Sequence, residues 1–256
     1  MKPYAADRVV METFVGREQE LSHLRSNVTG GRSCIVSAGR RTGKTMLLRA
    51  LVDGLLEAGI AAIYVDVQAF QGPSAAADLL RHVMVRSSQV ARPKIQAETL
   101  EHAAIAVVET GRKWCLVIDE VEILARSADG TALLDNLRYV VSNSPVAGEA
   151  SVVIGGGLEL VLRLRSSGSS LTNVCYPVEM RPLTEFDLES LVSLQVPEPE
   201  RKRVSRYLRS EAGGHPYIVQ ALLESMPDRV PSEIVPSMAS ARAEIIGRLA
   251  PQIGRN

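Results

Sequence analysis

Five short apolar segments alternate with helical patterns between residues 33 and 180, and this alternation constrains the fold more than any other feature. Each segment is rich in β-branched residues and nearly continuous in hydrophobicity, as strands covered on both faces are. A regular strand–helix alternation favours a parallel sheet with right-handed crossovers. We therefore predict an α/β fold with a five-stranded, mainly parallel sheet sandwiched by helices. The predicted strands are 34–37, 61–67, 114–118, 151–154 and 174–178, and the predicted helices are 45–58, 75–87, 97–110, 131–142 and 158–165.

The pattern changes after Pro182, where no convincing strand follows and helical segments are predicted at 184–194, 198–210, 216–225 and 231–253. At 256 residues the chain is long enough for one large domain and a small one. We predict an α/β domain over residues 1–182, which includes a segment at 14–30, and a small all-helical lid domain over residues 183–256.

The run from Ser33 to Thr45, SCIVSAGRRTGKT, has the layout of a phosphate-binding loop between a buried strand and a helix. In such a loop, backbone N–H groups and the helix dipole hold anionic oxygens. Lys44 is expected to reach the β- and γ-phosphates, and the Thr45 hydroxyl to bind Mg²⁺. Ala38 replaces the first glycine of the pattern, and Gly39 beside it can adopt a strained angle. The alternative interpretation is a glycine-rich turn before an ordinary helix.

Nucleoside-triphosphate binding is therefore the first functional prediction. The residues predicted to contact the nucleotide in this loop are Gly39, Arg40, Arg41, Thr42, Gly43, Lys44, Thr45 and Met46. For Arg40 and Arg41 two alternatives to phosphate contact stay open: contact with a partner subunit, or exposure to solvent.

An acidic pair follows the apolar segment at 114–118, in the string WCLVIDE. A carboxylate that ends a parallel strand lies at the edge of the sheet where ligands bind. Asp119 is predicted to hold Mg²⁺ through water, and Glu120 to orient or deprotonate the attacking water. The alternative is two solvated acids after a strand. No NKxD or TKxD string is present, so adenine is the favoured base.

Composition and charge exclude several classes of protein. The formal net charge is zero, which gives no support for bulk binding to nucleic acid. No apolar run approaches the roughly 18 residues that span a bilayer, and residues 1–14 lack the apolar core of a secretory signal. We expect a cytoplasmic protein without a membrane partner.

Four strings in order carry a resemblance to a known family: FVGREQEL at 14–21, GRRTGKT at 39–45, MRPLT at 180–184 and GGHPY at 213–217. This set resembles the STAND and archaeal-type ATPases, which are close to the AAA+ proteins. The chain has an extra predicted strand at 61–67 and a glutamate directly after the aspartate that ends the next strand. In both features it resembles the additional-strand, catalytic-glutamate branch of P-loop ATPases. The resemblance implies ATP or ADP and Mg²⁺ as ligands.

The resemblance also implies roles for residues outside the loop. Val15 and Gly16 would line the adenine, and His215 and Pro216 would approach the nucleotide from the helical lid. A structural histidine at His215 is the alternative, and Arg17 with Glu18 could equally form an exposed first helical turn.

Two departures from the family pattern bear on turnover. The strand at 151–154 is expected to end in a polar sensor, but Gly155, Gly156 and Gly157 follow it, and no clear lid arginine is present. The expected function is a slow Mg²⁺-dependent ATPase that acts as a nucleotide-controlled conformational switch, with a protein partner or self-association. The alternatives are a nucleotide-binding assembly or regulatory module with little turnover, and a DNA-associated ATPase. For the cation-rich segment 198–214, solvation with local ion pairs is favoured over DNA contact.

Overall fold

The structure is a computed structural model, and it describes residues 15–70, 72, 74–91, 98–225, 238–239 and 241–247. Phe14 of the first family string and most of the helix predicted at 231–253 lie outside the described residues.

A five-stranded sheet in the order β2-β3-β4-β1-β5 forms the centre of the fold, and every neighbouring pair of strands is parallel. This arrangement confirms the predicted α/β fold class. The strands are β1 (Ser33–Ser37), β2 (Ala61–Asp66), β3 (Trp114–Asp119), β4 (Ala150–Gly156) and β5 (Cys175–Glu179).

Strand β4 extends two residues past its predicted end. Gly155 and Gly156 pair in register with Val36 and Ser37 of β1, so the backbone ladder continues where hydrophobicity stops. Glycine carries no strand signal in a sequence, and only the neighbouring strand could show this extension.

Nine α-helices have both ends within the described residues. They are α1 (Glu18–Thr29), α2 (Lys44–Glu57), α3 (Ala75–Ala91), α4 (Leu100–Val108), α5 (Ala128–Ser142), α6 (Leu160–Ser166), α7 (Glu185–Gln195), α8 (Arg201–Ala212) and α9 (Pro216–Glu224). Helix α5 begins three residues before its predicted start because the Ser127 hydroxyl accepts a hydrogen bond from the Gly130 N–H at 3.1 Å. The helix predicted at 198–210 is a 3₁₀ turn, Glu198–Glu200, followed by α8.

Strands β3 and β4 both lie in the interior of the sheet and are buried at every residue, which explains their continuous hydrophobicity. Their side chains join a large apolar core with residues of α3, α4 and α5. The largest buried side chain, Trp114, donates its indole N–H to the Ser87 hydroxyl at 3.1 Å, so its polar atom is satisfied.

Contacts divide the chain into two compact units. Among the described residues, the sheet unit comprises 20–38, 47–70, 72, 74–91 and 98–179, and the helical unit comprises 15–19, 39–46, 180–225, 238–239 and 241–247. The helical unit has its own apolar core, built mainly by α7, α8 and α9. The predicted domain limits at 182 and 183 stay a prediction.

Within the described part of the chain, no helix has the length and apolar character that crossing a membrane requires.

Candidate functional site

The phosphate loop, residues 38–45, connects the end of β1 to the start of α2. Arg41 and Gly43 have left-handed backbone angles, with φ of 61° and 89°. A Cβ added at Gly43 would meet nothing within 4 Å, so glycine serves the backbone angle there rather than a close contact. The Thr42 hydroxyl donates to the Gly39 carbonyl at 2.9 Å and closes the turn. Left-handed residues in a turn before a helix are typical of anion-binding nests.

Lys44, the first residue of α2, is only 7% exposed. An ammonium group is costly to bury unless oxygen atoms of opposite or partial negative charge surround it. Together with the N–H groups at the start of a helix, this side chain forms a donor set that suits phosphate oxygens. The residues present therefore fit a nucleotide phosphate chain.

Arg17 holds the phosphate loop from inside the helical unit. Its side chain is 4% exposed, and the guanidinium donates to the carbonyl of Thr42 at 3.0 Å and to the carbonyl of Arg181. The exposed-turn alternative is therefore wrong for Arg17, although Glu18 is exposed. The fork of the guanidinium reaches two carbonyls that lie 139 residues apart in sequence.

Leu183 brings two of the sequence strings together. A Cβ on Gly16 would lie 2.7 Å from the Leu183 side chain, and a Cβ on Gly214 would lie 2.5 Å from the Leu183 carbonyl. The Leu183 N–H donates to the Gly214 carbonyl at 2.8 Å. Both glycines have left-handed angles, with φ of 82° and 77°. These positions require glycine for the backbone angle and for the close approach.

Aromatic and imidazole groups at the start of α9 contact the phosphate loop. The guanidinium carbon of Arg41 lies 4.1 Å from the centre of the Tyr217 ring, a cation–π contact. His215 precedes α9 as its N-cap residue, and Pro216 is in the first turn. Burial lowers the pKa of His215, while hydrogen bonding to its own backbone and to that of Arg40 opposes the shift.

All twelve residues that are predicted to contact the nucleotide thus belong to one unit. Val15 packs against the apolar core of the helical unit. The members of the set in this unit are Val15, Gly16, Gly39, Arg40, Arg41, Thr42, Gly43, Lys44, Thr45, Met46, His215 and Pro216.

Asp119 and Glu120 belong to the sheet unit. Asp119 is the last residue of β3 and is 1% exposed. One carboxylate oxygen accepts the Glu120 N–H at 3.0 Å, and the other accepts the Tyr64 hydroxyl at 3.3 Å. Burial and the Asp119 charge raise the pKa of Tyr64, so its hydroxyl remains a donor. Carboxylate oxygen is the ligand type that Mg²⁺ prefers, so Asp119 fits the predicted role.

Glu120 has a left-handed backbone, with φ of 55° and ψ of 39°, and precedes the 3₁₀ turn Val121–Arg126. For a residue with a Cβ this conformation costs about 1–2 kcal/mol. Such strain is concentrated at functional positions, where it fixes the direction of a side chain.

Glu122 is a residue of this edge that sequence reasoning missed. Its Oε1 accepts the Gly157 N–H at 2.9 Å, at the end of β4 where no polar sensor is present. Its Oε2 is buried and has no hydrogen-bond partner among the described residues. The contact spans 35 positions in sequence, and no local pattern could have indicated it.

The cations of α8 are partly used within the protein. The Arg201 guanidinium donates to the carbonyls of Val196 and Ser193 at 3.0 and 3.1 Å. Arg203 forms an ion pair with Glu200 at 3.5 Å. The Arg203 contact is a local ion pair of the kind expected for this segment, whereas Arg201 is held by backbone carbonyls.

Comparison with known proteins identifies the family. A family model described as an AAA domain matches residues 27–163, more than half of the chain. The chain belongs to this family, which confirms the predicted AAA+-like P-loop class. The STAND branch stays a prediction. No curated protein sequence matches the chain.

Solved structures show the same fold at low sequence identity. A Walker-type ATPase of Pyrococcus abyssi has a TM-score of 0.67 and 16% identity, covering 94% of this chain and 76% of its own. The ORC2 protein of Aeropyrum pernix, in ADPNP-ADP complexes, has a TM-score of 0.64 and 14% identity, covering 91% and 71%. A STAND protein of Pyrococcus horikoshii with a tetratricopeptide repeat sensor has a TM-score of 0.53 and 17% identity, covering 89% and 32%.

We predict that Arg17→Lys lowers the free energy of unfolding by about 1–3 kcal/mol, because an ammonium group lacks the fork by which the buried guanidinium donates to both carbonyls. Urea denaturation followed by circular dichroism measures the change. Arg165→Lys, on an exposed arginine of α6, is the matched control and should leave the curve unchanged. Equal midpoints for Arg17→Lys and the wild type would show that the bridge adds no stability.

We predict that His215→Gln reduces the loss of thermal stability between pH 7.5 and pH 5.5. The pKa of His215 is lowered in the folded protein from an ordinary value of 6.5. Its stabilising contribution is therefore complete above about pH 6.5 and is lost as pH falls towards the lowered folded pKa. Melting temperatures across this range test the effect, with His23→Gln on the exposed face of α1 as control. The prediction fails if His215→Gln and the wild type lose stability in parallel.

Proposed function

We propose that the protein is a Mg²⁺-dependent ATPase with slow turnover that acts as a nucleotide-controlled conformational switch. The observation that carries the proposal is the bridge made by Arg17, which joins the loop at Thr42 to Arg181 through one buried guanidinium. Arg17 thereby connects the phosphate loop, which would contact the nucleotide phosphates, to Arg181 at the start of the helical region. The proposal also rests on membership of the AAA-domain family.

Nucleotide binding is assigned to the phosphate loop and to the family strings around it. Lys44 and the N–H groups of the loop neutralise and orient the β- and γ-phosphates. Val15 and Gly16 contact the adenine, and His215 and Pro216 approach from the start of α9. The ADPNP-ADP complexes of the similar Aeropyrum pernix protein support an adenine nucleotide as ligand.

In the proposed reaction, ATP and water give ADP and phosphate. The water oxygen forms a bond to the γ-phosphorus, and the bond from that phosphorus to the bridging oxygen of ADP breaks. Glu120 accepts the proton of the attacking water and releases it to solvent. Asp119 and Thr45 would hold Mg²⁺, which supplies charge neutralisation for the phosphates when it is bound.

Switching follows from contacts that depend on the conformation of the loop. The Thr42 carbonyl is held by Arg17, and Arg41 packs on Tyr217 of α9. Loss of the γ-phosphate removes the ligand that favours one loop conformation. The change then reaches residues 180–184 and α9 through these two contacts. A nucleotide can shift the equilibrium only through such differential contacts.

A second candidate is a nucleotide-binding regulatory module with little turnover. The end of β4 favours it, because Gly155, Gly156 and Gly157 offer no side chain to position water. We further propose membership of the STAND branch, which the similarity to the Pyrococcus horikoshii protein supports. Under either candidate a separate protein, or a second copy of the chain, responds to the nucleotide state.

We predict that Lys44→Ala reduces the affinity for ADP and ATP at least 100-fold, because the phosphates lose their main cationic partner. Isothermal titration calorimetry in the presence of Mg²⁺ measures the change. Lys202→Ala, on an exposed lysine of α8, is the control and should bind as the wild type does. Unchanged affinity in Lys44→Ala would exclude the phosphate loop as the binding site.

We predict that Glu120→Gln retains ATP with wild-type affinity and releases phosphate at least 100-fold more slowly, since the amide accepts no proton. Single-turnover phosphate release and calorimetry separate the two quantities. Glu109→Gln, on an exposed carboxylate after α4, is the control. Hydrolysis at the parental rate by Glu120→Gln would remove its role as base. A wild type that binds ATP and releases no phosphate would favour the low-turnover candidate.

A further inference from the structure

The glycine end of β4 is filled by a carboxylate from another part of the sheet unit. A Cβ added at Gly156 would lie 2.2 Å from Oε2 of Glu122, and a Cβ at Gly157 would lie 3.3 Å from Oε1. Gly156 and Gly157 are not among the glycines with left-handed angles. Their lack of a side chain therefore serves the approach of Glu122 rather than the backbone conformation.

The position of this carboxylate along the sheet is well defined. Gly156 pairs with Ser37, the last residue of β1, and its carbonyl accepts the Ala38 N–H at 3.2 Å. The Ser37 hydroxyl donates to the Gly157 carbonyl at 2.9 Å. Glu122 follows β3, and β4 lies between β3 and β1 in the sheet. The carboxylate thus lies at the carboxyl end of β4, the strand that pairs with β1.

The two oxygens of Glu122 are in different situations. Oε1 is fixed by the Gly157 N–H at 2.9 Å, whereas Oε2 is buried without a hydrogen-bond partner among the described residues. A buried acceptor without a hydrogen-bond partner is destabilising, and more so when it is charged. A native structure retains such a group where a bound water, ion or substrate satisfies it.

We propose that Glu122 is a water-orienting residue of the ATPase, and this inference rests on the proposed function. Oε1 is the anchor, and Oε2 accepts a hydrogen bond from the water that attacks the γ-phosphate. Glu120 takes the proton of that water, so the two carboxylates have separate tasks. The end of β4 has no polar side chain that could position water. Glu122, in the turn after β3, provides the polar group at this place.

The decisive variant is Glu122→Gln. Glutamine keeps the shape and an acceptor for the Gly157 N–H, but it places an NH₂ donor where Oε2 was. We expect single-turnover phosphate release to slow by about tenfold or more, within the range of positioned acid–base groups. The Kd for ADP should change by less than about twofold. Glu159→Gln, on an exposed carboxylate ahead of α6, is the matched control and should hydrolyse at the parental rate.

A second measurement tests the geometry without hydrolysis. Gly156→Ala should lower the melting temperature through its clash with Oε2, and it should cost much less in a Glu122→Ala background. Additive effects would show that the carboxylate does not occupy the end of β4 and would overturn the inference.

A third experiment measures how fast a fluorescent ADP dissociates from the protein in the presence of aluminium fluoride. The trapped complex of protein, ADP and aluminium fluoride requires an ordered position for the attacking water. Slow ADP dissociation in the wild type and fast dissociation in Glu122→Gln support the inference. Equal trapping with equal phosphate release, in a wild type that hydrolyses ATP, overturns the inference about Glu122 alone. Failure of the proposed function is a distinct result that overturns both: the wild type itself then releases no phosphate, or binds ADP as weakly as Lys44→Ala does.

Discussion

The parallel backbone ladder of the sheet is the constraint on which the rest of the structure depends. Buried N–H and C=O groups must be paired, and β1 meets this requirement by pairing with β4 on one side and β5 on the other. Parallel pairing directs all five strands the same way, so their carboxyl ends share one edge. The end of β1, Asp119 and the glycine end of β4 lie at this edge for that reason alone.

Local strain in the described chain coincides with the two sequence strings that carry the predicted chemistry. The non-glycine residues described with left-handed angles are Arg41 in the phosphate loop and Glu120 after β3. Each conformation needs compensation from its surroundings. Arg41 packs on Tyr217, and the Glu120 N–H donates to Asp119. The energetic cost of the left-handed conformation is retained at these two positions because a side chain or a backbone donor must point in one direction there.

The helical unit explains why family strings so distant in sequence occur together. Leu183 is packed between Gly16 and Gly214, and Arg17 bridges Thr42 and Arg181. Four strings separated by up to about 200 residues therefore form one packed group. A change in the conformation of the phosphate loop displaces the buried side chains that contact it, because close-packed interiors transmit strain. This packing gives the proposed switch a physical basis inside a single unit.

The sequence by itself determined the order of the strands and of most described helices, the parallel sheet and the AAA+-like P-loop class. Continuous hydrophobicity, helical periodicity and the GKT string are local signals, and buried strands and phosphate loops impose them directly. The tertiary structure alone decided which polar side chains are buried and what they touch. From the sequence, an exposed turn was an equal alternative for Arg17, hydrophobicity predicted that β4 ends before its glycines, and Glu122 gave no signal. Each depends on a neighbour brought close by folding, and the identity of that neighbour is not written in any short window of sequence.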